Sequence, residues 1–346
     1  MTLPDADLLA RLLDRAETAD RRADWPGDSW ADLRAAGVTG WCVPTAYGGA
    51  GLSPVDLLRG NEALGGACLT TAFILSQRDA AVRRVLAGPE HLKTRFLPPL
   101  AAGDLFLTIG VSQLTTSRQH GGPALLAHPT PSGGFRLDGD VPWVTGADRA
   151  AAVVVGATLP AGTQVLVMLP TDRPGVRVAP PMELSALCGS RTSAIHCTGV
   201  EIGADLVLAG PTEFVLGKAG GGGLETSCLA LGLASAAIAN LQTEAARRPD
   251  LRPVADRFEA ARDVARRALH DLAAGTSGSD AVFSLRAECT RLALHATQAA
   301  LTVSKGTGFV SPHPVQRWAR QALFFLVWSC PRPVADGVLA GLLPDA

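Results

Sequence analysis

Apolar residues recur at helical spacing through positions 1–105, switch to alternation through 106–205, and return to helical spacing over 206–346. In the first block Leu8, Leu9, Leu12, Leu13 and Ala16 mark one face of an opening helix. Ser53-Pro54-Val55-Asp56 reads as an N-cap, a proline in the first turn and an early acid, with Gly65-Gly66 expected to end that helix. Pro89 starts another, and Pro98-Pro99 are expected to stop it. In the second block Phe135, Leu137, Gly139, Val141 and Trp143 alternate with Arg136, Asp138 and Asp140, the pattern of a half-buried strand. Further strands are expected over 151–155, 164–169, 176–178 and 194–202, with turns at Gly133-Gly134, Pro160-Ala161-Gly162 and Arg173-Pro174-Gly175. This block predicts a small β-barrel or sandwich. In the third block, 224–247 is rich in Ala, Gly and Ser, which suits close helix–helix approach. Pro253 starts a helix with Val254, Phe258, Ala261, Val264, Ala268 and Leu272 on one face; a long helix follows over 280–304. Pro314 begins another that runs to Trp328, with Pro331 and Pro333 as its stop. The expected fold is mainly α with a central β insert: an N-terminal helical domain, a middle β domain and a C-terminal helical bundle, divided near 105 and 205.

Composition narrows the function classes. Hydrophobic residues make up 47% of the 346 and charged residues 18%, so a packed core is expected and a disordered chain is not. Lys+Arg 31 against Asp+Glu 32 leaves no global basic field, so no nucleic-acid partner is expected. No apolar run reaches the ~18–20 residues of a membrane span, the longest being 229–239 and 322–328, so no membrane partner is expected either. The first residues lack the basic-then-apolar pattern of a signal peptide. The seven cysteines are odd in number and form no CxxC. Together these features point to a cytoplasmic location. No histidine pair carries metal-ligand spacing, so no metal is expected. Gly110-Val111-Ser112-Gln113-Leu114 lacks the second glycine of a nucleophile elbow. Gly217-Lys218-Ala219-Gly220-Gly221-Gly222-Gly223 precedes a helix without a P-loop ending, and fits either a flexible helix start or an anion contact. Trp143-Val144-Thr145-Gly146 puts an indole and a hydroxyl at a strand end, suited to a core position or to the flank of a planar cofactor.

Motifs spread over the whole chain carry a resemblance. They are Val43-Pro44-Thr45-Ala46-Tyr47-Gly48-Gly49, Leu97-Pro98-Pro99-Leu100-Ala101-Ala102-Gly103, Gly139 to Trp143-Val144-Thr145, Cys188-Gly189-Ser190-Arg191-Thr192 to Ile202, and Gly306-Thr307-Gly308-Phe309 to Arg320-Gln321-Ala322. In order and spacing the chain resembles the acyl-CoA dehydrogenase superfamily, as a divergent and shortened member. The resemblance implies that family's fold, with a middle β-barrel domain and a C-terminal four-helix bundle. It implies FAD as cofactor, an acyl thioester of CoA or a carrier protein as substrate, and a homo-oligomer. It places Ser112, Trp143 and Thr145 beside the flavin ring, and Gly306 in the segment by which a neighbouring subunit touches FAD. The family's phosphate-side Gly-Ser becomes Ser117-Arg118, which leaves Arg118 as a phosphate partner or a solvated charge. The usual catalytic glutamate becomes Ser329, and the threonine two residues on becomes Pro331. Serine cannot abstract an α proton unaided. Some members carry the base on the first bundle helix, where Glu225 is the candidate, about one turn late; its other reading is a first-turn acid stabilised by the helix dipole. Three functions stay open: α,β-dehydrogenation of an acyl thioester with a relocated base, flavin chemistry without α-proton removal, or a non-catalytic paralogue that binds a ligand or partner subunit.

Overall fold

The computed structural model describes residues 4–115, 121–217, 223–275 and 279–342. Five helices come first: α1 (Ala6–Arg21), α2 (Gly27–Ala35), α3 (Pro54–Ala67), α4 (Leu69–Leu86) and α5 (Glu90–Ala102). Eight strands follow: β1 (Leu107–Gly110), β2 (Leu125–Pro129), β3 (Phe135–Val144), β4 (Ala152–Thr158), β5 (Gln164–Pro170), β6 (Val176–Val178), β7 (Ser193–Ile202) and β8 (Val207–Thr212). The chain closes with α6 (Leu224–Arg247), α7 (Arg252–Ala274), α8 (Ser279–Gly308), α9 (Pro314–Phe324) and α10 (Arg332–Ala340).

The strands form one mixed sheet in the order β6-β7-β3-β2-β4-β5-β8, with β1 pairing β4 in parallel. Among the described residues β6 and β8, the ends of this order, do not pair with each other; the middle β domain is this one mixed sheet. β1, β2 and β8 lie outside the strands read from sequence. β1 is buried at all four residues and shows no alternation, which is why its pattern is silent.

Two helix ends differ from expectation. Gly65 and Gly66 do not end α3; they are where it crosses α6. A Cβ on Gly65 would meet Leu229 Cδ2 at 3.2 Å, and one on Gly66 would meet the Gly232 carbonyl oxygen at 3.1 Å. Pro98-Pro99 lie inside α5, which continues to Ala102 and stops at left-handed Gly103 (φ 74°). The fully buried Leu97 and Leu100 beside the prolines pack with the sheet core, and that burial outweighs the lost helix hydrogen bonds. A third difference concerns Pro331 and Pro333, expected as the stop of a helix running to Trp328: α9 already ends at Phe324, and the two prolines stand at the start of α10.

Two cores result. One joins α1, α3, α4 and the C-terminal helices; the other joins the sheet to α4 and α5. α4 belongs to both: Leu69, Ala72, Phe73 and Leu75 to the bundle, Ala81, Val82 and Val85 to the sheet. It therefore fixes the distance between strand ends and bundle. α6 is long and apolar enough to cross a membrane by length and composition, but 67% of that window is buried inside the fold, where it packs on α3, α7 and α8. At its crossing, a Cβ on Gly232 would stand 2.4 Å from the Glu62 carbonyl oxygen. Gly232→Ala is expected to destabilise the protein by about 1–3 kcal/mol through this backbone clash, although alanine is the better helix former by ~1 kcal/mol. Gly306→Ala, where a Cβ meets nothing within 4 Å, is the neutral control. Urea unfolding midpoints of the two variants check the contrast.

Candidate functional site

Three of the five candidate residues converge on one end of the sheet. β1 ends at Gly110, and a Cβ there would stand 2.5 Å from Val141 Cγ1 and 3.0 Å from Val144 Cγ2 of β3. The chain then makes a single turn, Ser112–Leu114, that packs against β3 and β4. Gln113 Nε2 locks this turn by donating to the carbonyl oxygens of Gly110 (3.1 Å) and Gly156 (2.7 Å). Ser112 Oγ is buried there, with no hydrogen-bond partner among the described residues. It is one of six buried hydroxyls without a partner among the described residues, and the one of them at this strand end, where a ligand or water can complete the bonding.

β3 presents the other two. Its register against β7 moves from Val141↔Ile195 to Val144↔Ser193, three steps on β3 against two on β7. This bulge turns Trp143 outward, 49% exposed, while Val141 and Val144 on either side stay fully buried. Thr145 follows at 3% exposed, its hydroxyl 3.3 Å from Thr192 Oγ1, which is 3.0 Å from Ser190 Oγ. Gly146 (φ 63°) donates to the Ser190 carbonyl at 2.9 Å, and a Cβ there would press on the rings of Phe106 and Trp25. Ser190 and Thr192 thus stand with Thr145 although they lie more than 40 residues from it; the motif from Cys188 to Thr192 marks their segment but not this contact.

The segment that carries Ser190 is bolted to both helical regions. Leu187 (φ 61°) and Arg191 (φ 47°) hold left-handed backbone conformations around it. Arg191 pairs with Asp148 at 2.6 Å and also donates to the Ala23 carbonyl. Asp20 of α1, fully buried, accepts from the Leu187 N–H at 2.9 Å and from Gln321 Nε2 of α9 at 2.8 Å. Its second oxygen lies 2.7 Å from Arg320 Nη2, a charge contact out of line for a hydrogen bond.

The other candidates sit elsewhere. Glu225, in the first turn of α6, is ion-paired to Arg83 of α4 at 3.0 Å and is 28% exposed. Gly306 lies at the end of α8, next to Lys305, which breaks the helix with φ 52°. Ser117, Arg118 and Lys218 to Gly222 lie outside the described residues. Among the described residues no group of His, Cys, Asp and Glu gathers as metal ligands.

Ser329 stands in the turn between α9 and α10 with φ 46°. Trp328 before it stacks on Phe324 (5.3 Å, 12°) and meets Phe73 of α4 edge-on at 4.9 Å. Beneath the turn lies Arg286 of α8, 3% exposed, which donates from Nη2 to the Trp328 carbonyl at 2.9 Å. Burial pulls its pKa down from the usual arginine range to about 10. The sequence does hold a signal for it: Arg286 falls in the row 282, 286, 289, 293, 296, 300, where Cys289, Ala293, Ala296 and Ala300 are fully buried.

Comparison with known proteins covers the whole chain. Residues 7–104 match the family model for the acyl-CoA dehydrogenase N-terminal domain. A probable acyl-CoA dehydrogenase of Bacillus subtilis (strain 168), YngJ, is 26% identical over 333 residues, which is 89% of this chain and 87% of that protein. The butyryl-CoA dehydrogenase of Megasphaera elsdenii has the same fold, with a TM-score of 0.85 over 99% of each chain at 18% identity. The dibenzothiophene monooxygenase of Paenibacillus sp. A11-2 superposes with a TM-score of 0.79 at 18% identity over 96% of this chain and 94% of its own, and that enzyme has also been solved with FMN and indole.

Proposed function

Because the chain belongs to the acyl-CoA dehydrogenase superfamily of flavoprotein oxidoreductases, we propose that it binds FAD and oxidises an acyl thioester between its α and β carbons. The observation that carries this reading is the strand-end group. The buried, unpartnered Ser112 hydroxyl, the outward Trp143 indole and the Thr145 hydroxyl stand at one end of the sheet. Such a group suits a flat, polar-edged ring: the indole offers a face, the hydroxyls offer hydrogen bonds to the ring edge. The flavin supplies a two-electron acceptor. This chain's residues do the rest: Ser112 and Thr145 orient the ring, Trp143 covers it, and the Thr145–Thr192–Ser190 hydroxyl chain holds the Thr145 side chain in place.

The weak point of dehydrogenation is the base. Ser329 offers no carboxylate, and Glu225 is already engaged by Arg83. That observation favours a second reading, in which the same flavin site oxidises or oxygenates its substrate without removing an α proton; a monooxygenase and dehydrogenases share this fold. An absorption spectrum separates the possibilities. Protein incubated with FAD and desalted is expected to be yellow, and to bleach anaerobically on addition of a short-chain acyl-CoA. A colourless protein removes both readings and leaves a non-catalytic ligand or subunit binder. A yellow protein that no acyl-CoA bleaches supports the second.

The chain is also proposed to self-associate through its C-terminal helices. Phe309 (78%), Val310 (63%), Leu323 (52%) and Val327 (72%), in α9 and in the turns after α8 and α9, expose large apolar side chains, the kind of surface that marks an interface. Light scattering at micromolar concentration is expected to give at least a dimer mass; a monomer mass refutes it. A cytoplasmic location remains part of the proposal and is read from the unpaired cysteines.

A further inference from the structure

The crossing of α3 and α6 leaves a cleft on the side of α7. It holds about 400 Å³ and opens to solvent. Its floor comes from the small residues of the crossing, Ala63 and Gly66 of α3 and Gly232 of α6, where the two backbones touch and no large side chain fills the space above. Its walls are polar: Arg59 and Glu62 of α3, Ser235 of α6, and Arg266 and His270 of α7. None of Ser112, Trp143, Thr145, Glu225 and Gly306 lines it.

Most of these wall groups are spent on one another. Glu62, 7% exposed, accepts from Arg266 Nε at 3.0 Å, from Arg266 Nη2 at 2.6 Å and from Ser235 Oγ at 3.2 Å. Arg266 also meets Asp263 at 3.3 Å. Two groups are left over. Among the described residues Arg59 has one ion pair, with Asp56 at 3.4 Å, and both side chains are exposed, so that pair is weak. His270 Nε2 is buried with no partner among the described residues. The charges around this ring are Arg59 and Glu62 of α3 and Arg266 and Asp271 of its own helix. Burial first, then the Arg59 charge, holds the His270 pKa below the ordinary histidine value, so the imidazole is neutral near pH 7. A neutral imidazole beside a guanidinium is an anion site awaiting its anion. An arriving negative charge pairs with Arg59, cancels its repulsion, and favours the protonated ring.

We propose that this cleft binds a small organic carboxylate, held between the Arg59 guanidinium and a protonated His270 whose ring turns Nε2 toward it. The proton comes from solvent, so carboxylate and proton bind together. A carboxylate suits the cleft better than a phosphate, because Glu62 in the same wall opposes a second negative charge. The volume exceeds that of a bare ion, and the alanine-glycine floor leaves room for a short apolar body. The inference does not rest on the flavin reading.

Titration calorimetry of the full-length protein with benzoate tests it, with inorganic phosphate as the second probe. Benzoate itself stays ionised between pH 6 and pH 7.5, so a change of affinity over that range comes from the protein. Benzoate is expected to bind about tenfold more tightly at pH 6 than at pH 7.5, the sign of a proton taken up on binding. It is also expected to bind more tightly than phosphate at both. Arg59→Gln is expected to weaken benzoate at least about tenfold, the scale of one charge-assisted contact. His270→Gln is close in size and is expected to flatten the pH dependence. The Arg59 side chain is 51% exposed, so its variant carries the test if the histidine variant fails to fold. No binding of benzoate at ~10 mM overturns the inference. So does an affinity that is flat with pH in the unmodified protein, tighter binding of phosphate, or benzoate binding that both variants leave unchanged.

Discussion

Asp20→Ala is expected to destabilise the protein by about 3–5 kcal/mol, the cost of leaving buried polar partners without their charge. The carboxylate is fully buried and joins two other parts of the chain: it accepts from the Leu187 N–H before β7 and from Gln321 Nε2 of α9, and lies in charge contact with Arg320 of α9. Alanine leaves the Leu187 and Gln321 donors unsatisfied where water does not reach. The melting temperature is expected to fall by roughly 5–10 °C. Asp20→Asn keeps one acceptor oxygen and is expected to lose about a third to a half as much. A second readout tests the tie to the site. Leu187 begins the left-handed segment that places Ser190 and Thr192 beside Thr145. FAD affinity is therefore expected to weaken in Asp20→Ala at temperatures where the protein is still folded. A melting temperature within 2 °C or so of the unmodified protein would show that this buried cluster does not join the helices to the sheet.

The physical basis of what the sequence shows, and hides, is visible in these residues. Periodicity marks elements that have one wet and one dry face. β3 alternates because one face meets the core, and α1 repeats Leu8, Leu12 and Ala16 because one stripe is buried. Elements buried all round carry no such mark, and β1 is one of them. Punctuation misleads wherever packing outvotes it. Gly65-Gly66 read as a stop because glycine is a poor helix former, yet at the α3–α6 crossing the absence of a Cβ is what lets two backbones touch. Proline misleads twice, inside α5 and at the start of α10.

The site follows the same rule. Residue types at Ser112, Trp143 and Thr145 are legible from family motifs. Their juxtaposition depends on the β3 bulge and on Gly110 lying flat against Val141 and Val144, which only the folded chain exhibits. Pairings across the fold are hidden: Thr192 with Thr145, and Arg83 with Glu225. A carboxylate read as a base from its place in a sequence can be spoken for by a guanidinium on another helix.

Glu225→Gln is expected to slow bleaching of the flavin by an acyl-CoA by at least about 100-fold if the chain is a dehydrogenase, the scale of losing a general base. FAD stays bound, since Glu225 stands in α6 and touches none of Ser112, Trp143 or Thr145. The substitution keeps the side chain's size and removes only the basic oxygen. It also breaks the 3.0 Å pair with Arg83, but that arginine is 43% exposed, so the cost to stability is small, of order 0–1 kcal/mol. Loss of rate is then chemistry rather than unfolding. For Glu225 to act, its carboxylate must leave Arg83 and swing toward the substrate, a movement allowed by its first-turn position on α6, where Gly223 just before the helix carries no side chain. Bleaching that persists at the unmodified rate in Glu225→Gln removes Glu225 as the base. Ser329 then leaves the chain without a carboxylate at either place where this fold puts one, and oxidation without α-proton removal becomes the reading that the site supports.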